Sequence, residues 1–176
     1  MIYINIPDDV LFLLQENLKS DIEKQTGAEI SIDEETKTVS INHENSVKEM
    51  DVKRVLNAIK LGFDIDTSFK LFHSDLMILE EINIRNRTRN DKDFKRQKGR
   101  IIGKNGRTKE LISELSEVDI NINKDYVGII GSMSDVKEAR RAVLNLIRGD
   151  AHASVYNQLE KYKSKKSNSM LNSKIP

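Results

Sequence analysis

The chain contains an internal repeat, and this repeat restricts the possible fold more than any other feature. A shift of 90 residues places Ile30 on Ile120, and a shift of 88 residues places Val55 on Val143. The register changes within residues 33–38, where the first copy would have a longer hairpin loop, and loops tolerate such differences. The repeat therefore predicts two copies of one folding unit.

Apolar spacing predicts the element order β-α-α-β-β-α in each copy. Alternating isoleucines and valines mark the strands, and apolar residues three or four apart mark the helices. Ser46 and Ser134 stand where they could cap the last helix of the first and second copy. Three antiparallel strands with helices on one face make each copy an α+β unit.

These patterns divide the chain into four segments. Residues 1–63 form the first copy, residues 76–150 form the second, and residues 64–75 form a helical linker between them. Residues 151–176 are predicted to begin as a helix and to end as a flexible tail. The stretch from residue 163 onward is rich in lysine, serine and asparagine and has few apolar side chains to pack, so we expect it to fray.

A glycine turn distinguishes the second copy. Gly103, Lys104, Asn105 and Gly106 lie between two predicted helices, whereas the same register in the first copy holds Leu-Leu-Gln-Glu at residues 13–16. Glycines let a nucleic-acid backbone approach the peptide because no Cβ blocks the way, and the N–H groups of the following helix can face phosphates. The first copy lacks this turn and has a carboxylate in its place.

Charge is distributed unevenly between the two copies. Residues 1–75 carry 8 Lys and Arg against 15 Asp and Glu, whereas residues 76–176 carry 21 against 13. Within residues 85–109, 11 basic residues accompany only Asp91 and Asp93. Because this basic stretch leads into the glycine turn, a phosphate-binding surface explains it better than a solvated loop does.

Three segments resemble an archaeal family of KH-domain proteins that process ribosomal RNA, whose eukaryotic relative is called the partner of the Nob endonuclease. They are residues 99–108 (Gly-Arg-Ile-Ile-Gly-Lys-Asn-Gly-Arg-Thr), the hairpin end at residues 127–131 (Val-Gly-Ile-Ile-Gly) and the tail at residues 149–160. The resemblance covers nearly the whole chain. It implies two tandem type I KH domains, of which the first is degenerate and lacks the Gly-x-x-Gly clamp.

The resemblance also implies a function. Members of this family bind single-stranded small-subunit ribosomal RNA near its 3′ end and assist maturation of the precursor beside a PIN-domain endonuclease. The clamp would be Gly103 to Gly106, and Ile102 with Ile120 or Ile122 would lie under about four unstacked bases, although both strand isoleucines also suit a core. The RNA-binding residues predicted here are Arg96, Lys98, Arg100, Ile102, Gly103, Lys104, Asn105, Gly106, Arg107, Thr108 and Lys109.

Several functional classes are disfavoured by what the sequence lacks. There is no cysteine and the three histidines are far apart, so neither thiolate chemistry nor a histidine metal site is predicted. Gly103 and Lys104 are followed by Asn105 rather than by the Ser or Thr of a nucleotide-binding loop. We expect no catalytic residues and no cofactor. With neither a signal sequence nor a membrane-spanning run in view, we expect a cytoplasmic protein.

Two other functions fit parts of the pattern. The acidic first copy could dock a protein partner, in which case the chain would be an interaction scaffold and the glycine turn merely structural. Alternatively, the chain could be a general KH adaptor for other RNAs. The tail at residues 149–160 favours the ribosomal function over the adaptor.

Overall fold

A computed structural model describes residues 1–172 of the chain. It contains two compact units, Met1–Asp75 and a second that begins at Leu76. Each unit has a three-stranded antiparallel sheet and packed helices, so the α+β class predicted from the repeat is confirmed. No helix in this part of the chain is both long and apolar enough to cross a bilayer.

In the first unit the middle strand of the sheet is the last in sequence. The elements are β1 (Ile2–Asn5), α1 (Asp8–Leu13), a π-helical turn (Leu14–Leu18), α2 (Lys19–Thr26), β2 (Glu29–Asp33), β3 (Thr38–Asn42), α3 (Ser46–Lys60) and α4 (Ile65–His73). β3 lies between β1 and β2, and its buried Val39 and Ile41 pair with Ile4 and Ile30. α4 packs against α3 and occupies the segment for which a linker helix is predicted.

The first unit differs from the predicted β-α-α-β-β-α order in one respect. No break separates its first two helices, because the π-helical segment Leu14–Leu18 continues α1 directly into α2. Residues 13–16 contain no glycine that could break the helix, and Leu14 and Leu18 are both buried in the core. The helical run ends only at Gly27, the first residue after it with a positive φ, 73°.

The second unit repeats the sheet and separates its first two helices. The elements are β4 (Met77–Asn83), a 3₁₀ turn (Arg85–Arg87), α5 (Asp91–Ile102), a second 3₁₀ turn (Lys104–Gly106), α6 (Arg107–Ser116), β5 (Asp119–Asn123), β6 (Tyr126–Ser132), α7 (Met133–Arg148) and α8 (His152–Asn172). β6 is the middle strand, as β3 is in the first unit. The basic stretch at residues 85–109 therefore spans the Arg85–Arg87 turn, α5, the second 3₁₀ turn and the start of α6.

The core of the second unit lies on one face of its sheet. Ile129 of β6 pairs with Ile120 of β5, and Val127 pairs with Ile82 of β4, so these inward side chains share a face. They belong to one buried cluster with apolar residues of all four helices. The members from the helices are Phe94, Ile101, Ile112, Val136, Ala139, Ala142, Val143, Leu146, Ile147, Val155 and Leu159. Helices on one face of the sheet are thus confirmed.

Helix ends depart from the sequence predictions in small ways. The cap of α3 is Asn45, whose side chain accepts from Val47 N–H at 2.9 Å, rather than Ser46. The cap of α7 is Ser132, whose hydroxyl accepts from Asp135 N–H at 3.3 Å, rather than Ser134. In both cases a polar residue slightly earlier in the chain performs the same function.

The last helix is longer than the sequence predicts. Fraying was expected from residue 163 onward, but α8 is helical to Asn172, and Lys163 Nζ donates to the Glu114 carbonyl at 3.2 Å. α8 packs against α6 and α7, which supplies partners for its polar side chains. The end of the expected flexible tail, residues 173–176, lies outside the described residues.

A buried carboxylate holds α8 to α7. Asp135 accepts from Tyr162 Oη at 2.7 Å and from Lys166 Nζ at 2.8 Å and 3.0 Å, and Lys166 also pairs with Glu117. Burial alone raises the pKa of Asp135, but hydrogen bonds from Lys166, Ser132 and Tyr162 outweigh burial and lower that pKa below its ordinary value. The ion pair between Asp135 and Lys166 anchors the segment of α8 that was expected to fray.

Candidate nucleic-acid interface

The turn between α5 and α6 has a backbone that requires glycine at its first position. Gly103 has φ of 75° and ψ of 174°. A Cβ added there would lie 2.2 Å from Thr108 Oγ1 and 2.6 Å from the Thr108 backbone nitrogen. Both distances are far inside van der Waals contact, and the positive φ is itself unfavourable for other residues. α5 therefore ends where the sequence has its first clamp glycine.

The rest of the turn is left-handed and open. Asn105 has φ of 52° and Gly106 has φ of 80°, and asparagine is one of the few residues that tolerate this region. A Cβ added at Gly106 would meet no atom of residues 1–172 within 4 Å, and within the same residues no side chain caps α6. The Arg107 N–H donates to the Lys104 carbonyl, and the N–H groups that follow it in the first turn of α6 have no side-chain cap in the described part of the chain. An uncapped helix N-terminus is a suitable site for an anion.

Exposed polar side chains flank this open backbone. Lys104 and Asn105 are exposed on the turn itself, and Arg107 is exposed on the first residue of α6. The Arg107 guanidinium lies 3.6 Å from the Glu110 carboxylate. Such an exposed pair on one helix face contributes little free energy, so a phosphate could displace it at low cost. The turn thus combines close backbone access with two accessible cations.

Thr108 lies beneath the turn rather than on its surface. Its side chain is buried, and its Oγ1 is 2.8 Å from the Tyr156 hydroxyl of α8. The same oxygen is the atom that a Cβ on Gly103 would strike. The structure therefore places this predicted RNA-binding residue between α8 and the glycine turn, where it supports the turn from behind.

Arg100 is engaged with the end of α7. Its Nε donates to the Leu146 carbonyl at 3.1 Å, and Nη2 donates to the Asp150 carbonyl. These bonds satisfy carbonyl groups at a helix C-terminus, where a cation also complements the helix dipole. His152 Nε2 lies 3.0 Å from the Arg100 carbonyl, so the peptide is held on its other side as well. Arg100 joins α5 to α7 and α8.

A shallow cleft runs between α6 and β5 beside the turn. Ile120 lines it together with Lys109, Glu110, Ser113 and Glu114. Lys109 Nζ is 3.5 Å from Asn121 Oδ1, so the cation spans the cleft. Ile120 is only 7% exposed and belongs mainly to the core, whereas Ile102 and Ile122 are half-buried. The structure brings an apolar floor, one cation and an amide together next to the clamp.

Two predicted cations lie on α5 away from the turn. Lys98 Nζ donates to the Lys124 carbonyl at 2.7 Å, in the loop between β5 and β6. Arg96 is exposed and its Nη2 donates to Asp93 Oδ1 at 2.7 Å. Seven residues separate Arg96 from Gly103, which is about 10 Å along a helix. Arg96 and the glycine turn therefore belong to different parts of the basic surface.

Comparison with known proteins identifies the family to which the chain belongs. A family model described as the eukaryotic-type (type I) KH domain, for the second KH domain of PNO1, matches residues 78–164. A KH domain-containing protein of Methanocaldococcus jannaschii is 33% identical over 169 residues, which cover 92% of this chain and 74% of that protein. The chain belongs to the PNO1 family of KH-domain proteins.

Two further relatives of this PNO1-family chain have informative names. The pre-rRNA-processing protein PNO1 of Debaryomyces hansenii is 30% identical over 70% of the chain, which spans about half, 51%, of that protein. A solved complex of a/eIF2alpha, aDim2p and rRNA from Pyrococcus horikoshii contains a chain with 33% identity and a TM-score of 0.82, covering 93% of this chain and 94% of that one. These similarities agree with the two α+β units predicted from the repeat and with the KH type implied by the resemblance.

The one aromatic residue of the basic stretch is not an open stacking platform. Phe94 is buried in the core of the second unit. The Arg85 guanidinium carbon lies 4.1 Å from its ring centroid, and Lys98 Nζ lies 5.8 Å away. A hydrogen bond to Asp91 raises the pKa of Arg85 further above its ordinary value. Cations cover the ring, so a base has no access to it.

Sequence reasoning missed Arg148 as part of a second group of cations on this PNO1-family unit. Arg87, Arg89 and Arg96 from the basic stretch at residues 85–109 line one cavity with Arg148 from the end of α7. No spacing pattern could have indicated Arg148, because it reaches the cavity only through the packing of α7 on α5. Among residues 1–172, no three His, Asp or Glu side chains come together as a metal ion would need.

Proposed function

We propose that this protein binds single-stranded small-subunit ribosomal RNA near its 3′ end through the second unit and assists maturation of the precursor RNA. The observation that carries the proposal is the turn at Gly103 to Gly106, where positive φ angles, open space beside Gly106 and an uncapped α6 lie between the exposed cations Lys104 and Arg107. The names of the relatives, a pre-rRNA-processing protein and a chain in an rRNA complex, support the choice of RNA.

Binding would divide between phosphates and bases. The phosphate chain would lie across Gly103 and Gly106, bonded by N–H groups that follow Arg107 in the first turn of α6 and neutralised by Lys104 and Arg107. About four unstacked bases would then face the cleft between α6 and β5. Half-buried Ile102 and the edge of Ile120 would contact their faces. Lys109 and Asn121, which meet at 3.5 Å, would contact their edges.

Glu110 and Glu114 make the cleft more acidic than the adjacent turn. Both line the cleft beside Ile120, whereas the nearby cations Lys104 and Arg107 lie at the turn. Carboxylates repel phosphates but accept hydrogen bonds from base amino groups. We therefore expect the RNA backbone at the turn and the bases, rather than the backbone, beside these two carboxylates.

The first unit would have a different partner. It carries a net negative charge, and its continuous run from α1 into α2 has no counterpart of the clamp. Exposed Phe12, Val47 and Met50 provide apolar surface on its helices and helix ends. We propose that this unit docks a protein of the maturing small ribosomal subunit, with a PIN-domain endonuclease as the expected candidate. The protein would act as a binding factor in the cytoplasm rather than as a catalyst.

Crosslinking in the host cell, followed by sequencing of the bound RNA, tests the proposed function. We expect crosslinks concentrated near the 3′ end of small-subunit ribosomal RNA, and we expect them to be lost when Lys104 and Asn105 are both replaced by Asp. Crosslinks spread over messenger RNAs would favour a general adaptor. Protein partners without any RNA crosslink would favour a scaffold that acts through the first unit.

A further inference from the structure

A second basic site lies in the second unit, apart from the glycine turn. It is a cavity of about 610 Å³ between the Arg85–Arg87 turn, the first half of α5 and the end of α7. That volume is within the range of pockets that hold small organic ligands. None of the clamp residues lines it, so the function proposed for the clamp leaves this cavity unexplained.

The cavity collects arginine side chains. Arg87, Arg89, Arg96 and Arg148 line it, and Asp93 is the one carboxylate among the lining residues that the structure describes. Asp93 is already engaged, since it accepts from Arg96 Nη2 at 2.7 Å and from the Arg89 N–H at 3.1 Å. Four guanidinium groups around a single occupied carboxylate leave positive charge that an anion would neutralise. Arginine forks match phosphate oxygens in pairs.

A buried amide in the same cavity has an unused acceptor. Gln97 is 4% exposed, and its Oε1 has no hydrogen-bond partner among residues 1–172. Its Nε2 lies 3.4 Å from Asp93 Oδ1, and this contact assigns the amide orientation, because the reverse would set a carbonyl oxygen against a carboxylate. A buried acceptor without a partner is uncommon in a folded protein. An N–H or O–H donor of a bound ligand would satisfy it.

The cavity also has an apolar wall. Leu144 and Ile147 of α7 line it beside Gln97. The site therefore offers three things at once: guanidinium groups for an anion, a buried acceptor for an N–H donor, and aliphatic side chains for a flat apolar surface. A nucleotide has all three complementary parts in one unit, namely its phosphate, its base N–H groups and the face of its base.

We propose that this cavity binds one nucleotide of the RNA strand outside the four-nucleotide clamp. The phosphate would lie among the four arginines, the base would pack on Leu144 and Ile147, and a base N–H would donate to Gln97 Oε1. The proposal rests on the proposed RNA-binding function. It adds that a strand crossing the clamp continues along α5 toward Arg96, about 10 Å from Gly103.

Two probes separate this cavity from the clamp. One is a labelled single-stranded RNA of about four nucleotides, which fills a KH groove, and the other is an RNA of about twelve nucleotides that can reach both sites. Replacing Arg87 and Arg89 together by Ala removes two exposed charges from the cavity. We expect the dissociation constant of the longer RNA to rise at least about fivefold and that of the shorter RNA to change less than about twofold.

The matched control removes the same charge from the same stretch. Lys92 and Lys95 are exposed on α5 and do not line the cavity. Replacing both by Ala should weaken the longer RNA clearly less than the arginine pair does. Equal losses for the two double variants, or equal losses of both RNAs from the arginine variant, would mean that α5 acts only through diffuse charge and would overturn the proposal.

Gln97→Leu tests the base contact without changing charge. We expect weaker binding of the longer RNA with an unchanged slope of binding against salt, whereas loss of Arg87 and Arg89 should reduce that slope by up to about two. Unchanged affinity in Gln97→Leu would overturn the nucleotide assignment. So would an oligoglutamate peptide that binds the intact protein and loses affinity in the arginine variant while the longer RNA does not.

A separate variant tests the proposed clamp independently of the cavity. Replacing Lys104 and Asn105 by Asp should weaken both RNAs. If neither RNA is affected by that change, the proposed clamp is wrong, whatever the arginine variant shows. If both RNAs are affected but the arginine variant matches its lysine control, the clamp stands and the second site is overturned.

Discussion

In the first unit the chain passes from α1 to α2 without a break, whereas in the second unit it turns sharply between α5 and α6. The register of the repeat aligns Leu13–Glu16 of the one with Gly103–Gly106 of the other. In the first, Leu14 is buried in the core. In the second, Asn105 and both glycines of the turn have positive φ, and the backbone lies open. One position in a shared fold has therefore been used for packing in one copy and for access in the other.

This difference shows that the residues that build the core are distinct from the residues that control ligand access. The strands and the last helix of each copy have matching apolar residues, since those residues must fill a core in both. The helix junction has no such requirement. Two glycines there give an open turn, whereas Leu-Leu-Gln-Glu continues the helix, and both sheets keep the same strand arrangement.

The largest effect is expected from the first glycine of the turn. Gly103→Ala should lower the free energy of unfolding of the second unit by about 2–4 kcal/mol, because the new Cβ would overlap Thr108 and the φ is positive. RNA affinity should fall with it. Gly106→Ala is the matched control and should cost only about 1 kcal/mol, since its φ is positive but the space beside it is open. Hydrogen exchange of α6 amides measures both, and equal costs would show that Thr108 does not press on the turn.

The next effect concerns charge at the turn. Replacing Lys104 and Asn105 by Asp should weaken binding to single-stranded RNA at least tenfold, about 1.4 kcal/mol, because two carboxylates would face the phosphate chain. Reversing Lys19 and Lys24 makes the same kind of change in the acidic unit and should leave affinity unaltered. Fluorescence anisotropy at fixed salt measures both, with circular dichroism to verify the fold. A similar loss of RNA affinity in both variants would contradict the proposal that only the second unit binds RNA.

A smaller effect distinguishes support from contact at Thr108. Thr108→Val keeps the shape of the side chain and removes its bond to Tyr156, and it should cost about 1 kcal/mol of stability. Tyr156→Phe should cost the same, and the double variant should cost no more than either, because all three remove one bond. RNA affinity should be unchanged. A tenfold loss of affinity in Thr108→Val alone would instead assign Thr108 to the RNA, as the sequence predicted.

The smallest effect is a pH dependence of the α8 anchor. Because the pKa of Asp135 is lowered in the folded protein, its contribution to stability is present above its unfolded pKa, near 3.8, and is lost as pH falls through the folded value. Asp135→Asn should therefore be less stable than the parent at neutral pH, with the gap closing in acid. Urea unfolding across this range measures the gap. A gap that stays constant into acid would show that the charge on Asp135 is unimportant.

Much of this architecture could be predicted from the sequence because it depends on apolar spacing. The β2 and β3 strands, the duplicated last helix and the glycine turn all follow from local patterns. Misplaced caps at Ser46 and Ser134 reflect a weaker signal, since several polar residues precede each helix and only geometry selects one. The continuous α1–α2 run was not predicted, because apolar spacing alone does not distinguish a π-helical turn from a break between helices.

Within the candidate site, the sequence located the glycine turn but could not show which side chains face solvent. Gly103 and Gly106 could be recognised as a turn from the sequence, because two glycines stand between two predicted helices. The contact with Thr108 that makes glycine necessary at residue 103 is visible only in the structure. Whether a cation faces solvent depends on neighbours distant in the chain: Arg100 meets the end of α7, and Thr108 meets Tyr156. The contribution of Arg148 to the second basic site, and the length of α8, depend on the same kind of contact between distant segments.

The hydrogen bond between Tyr156 and Thr108 bears on how small a working fragment of this protein can be. The β-α-α-β-β-α repeat is complete at Gly149, and a fragment cut there would look like a whole module. It would nevertheless lack the hydroxyl that fixes Thr108 behind Gly103, and Lys166, which reaches Asp135 and Glu117. We expect such a fragment to retain its sheet but to hold the glycine turn loosely. We therefore expect the minimal autonomous module to be the repeat together with the helix that follows it.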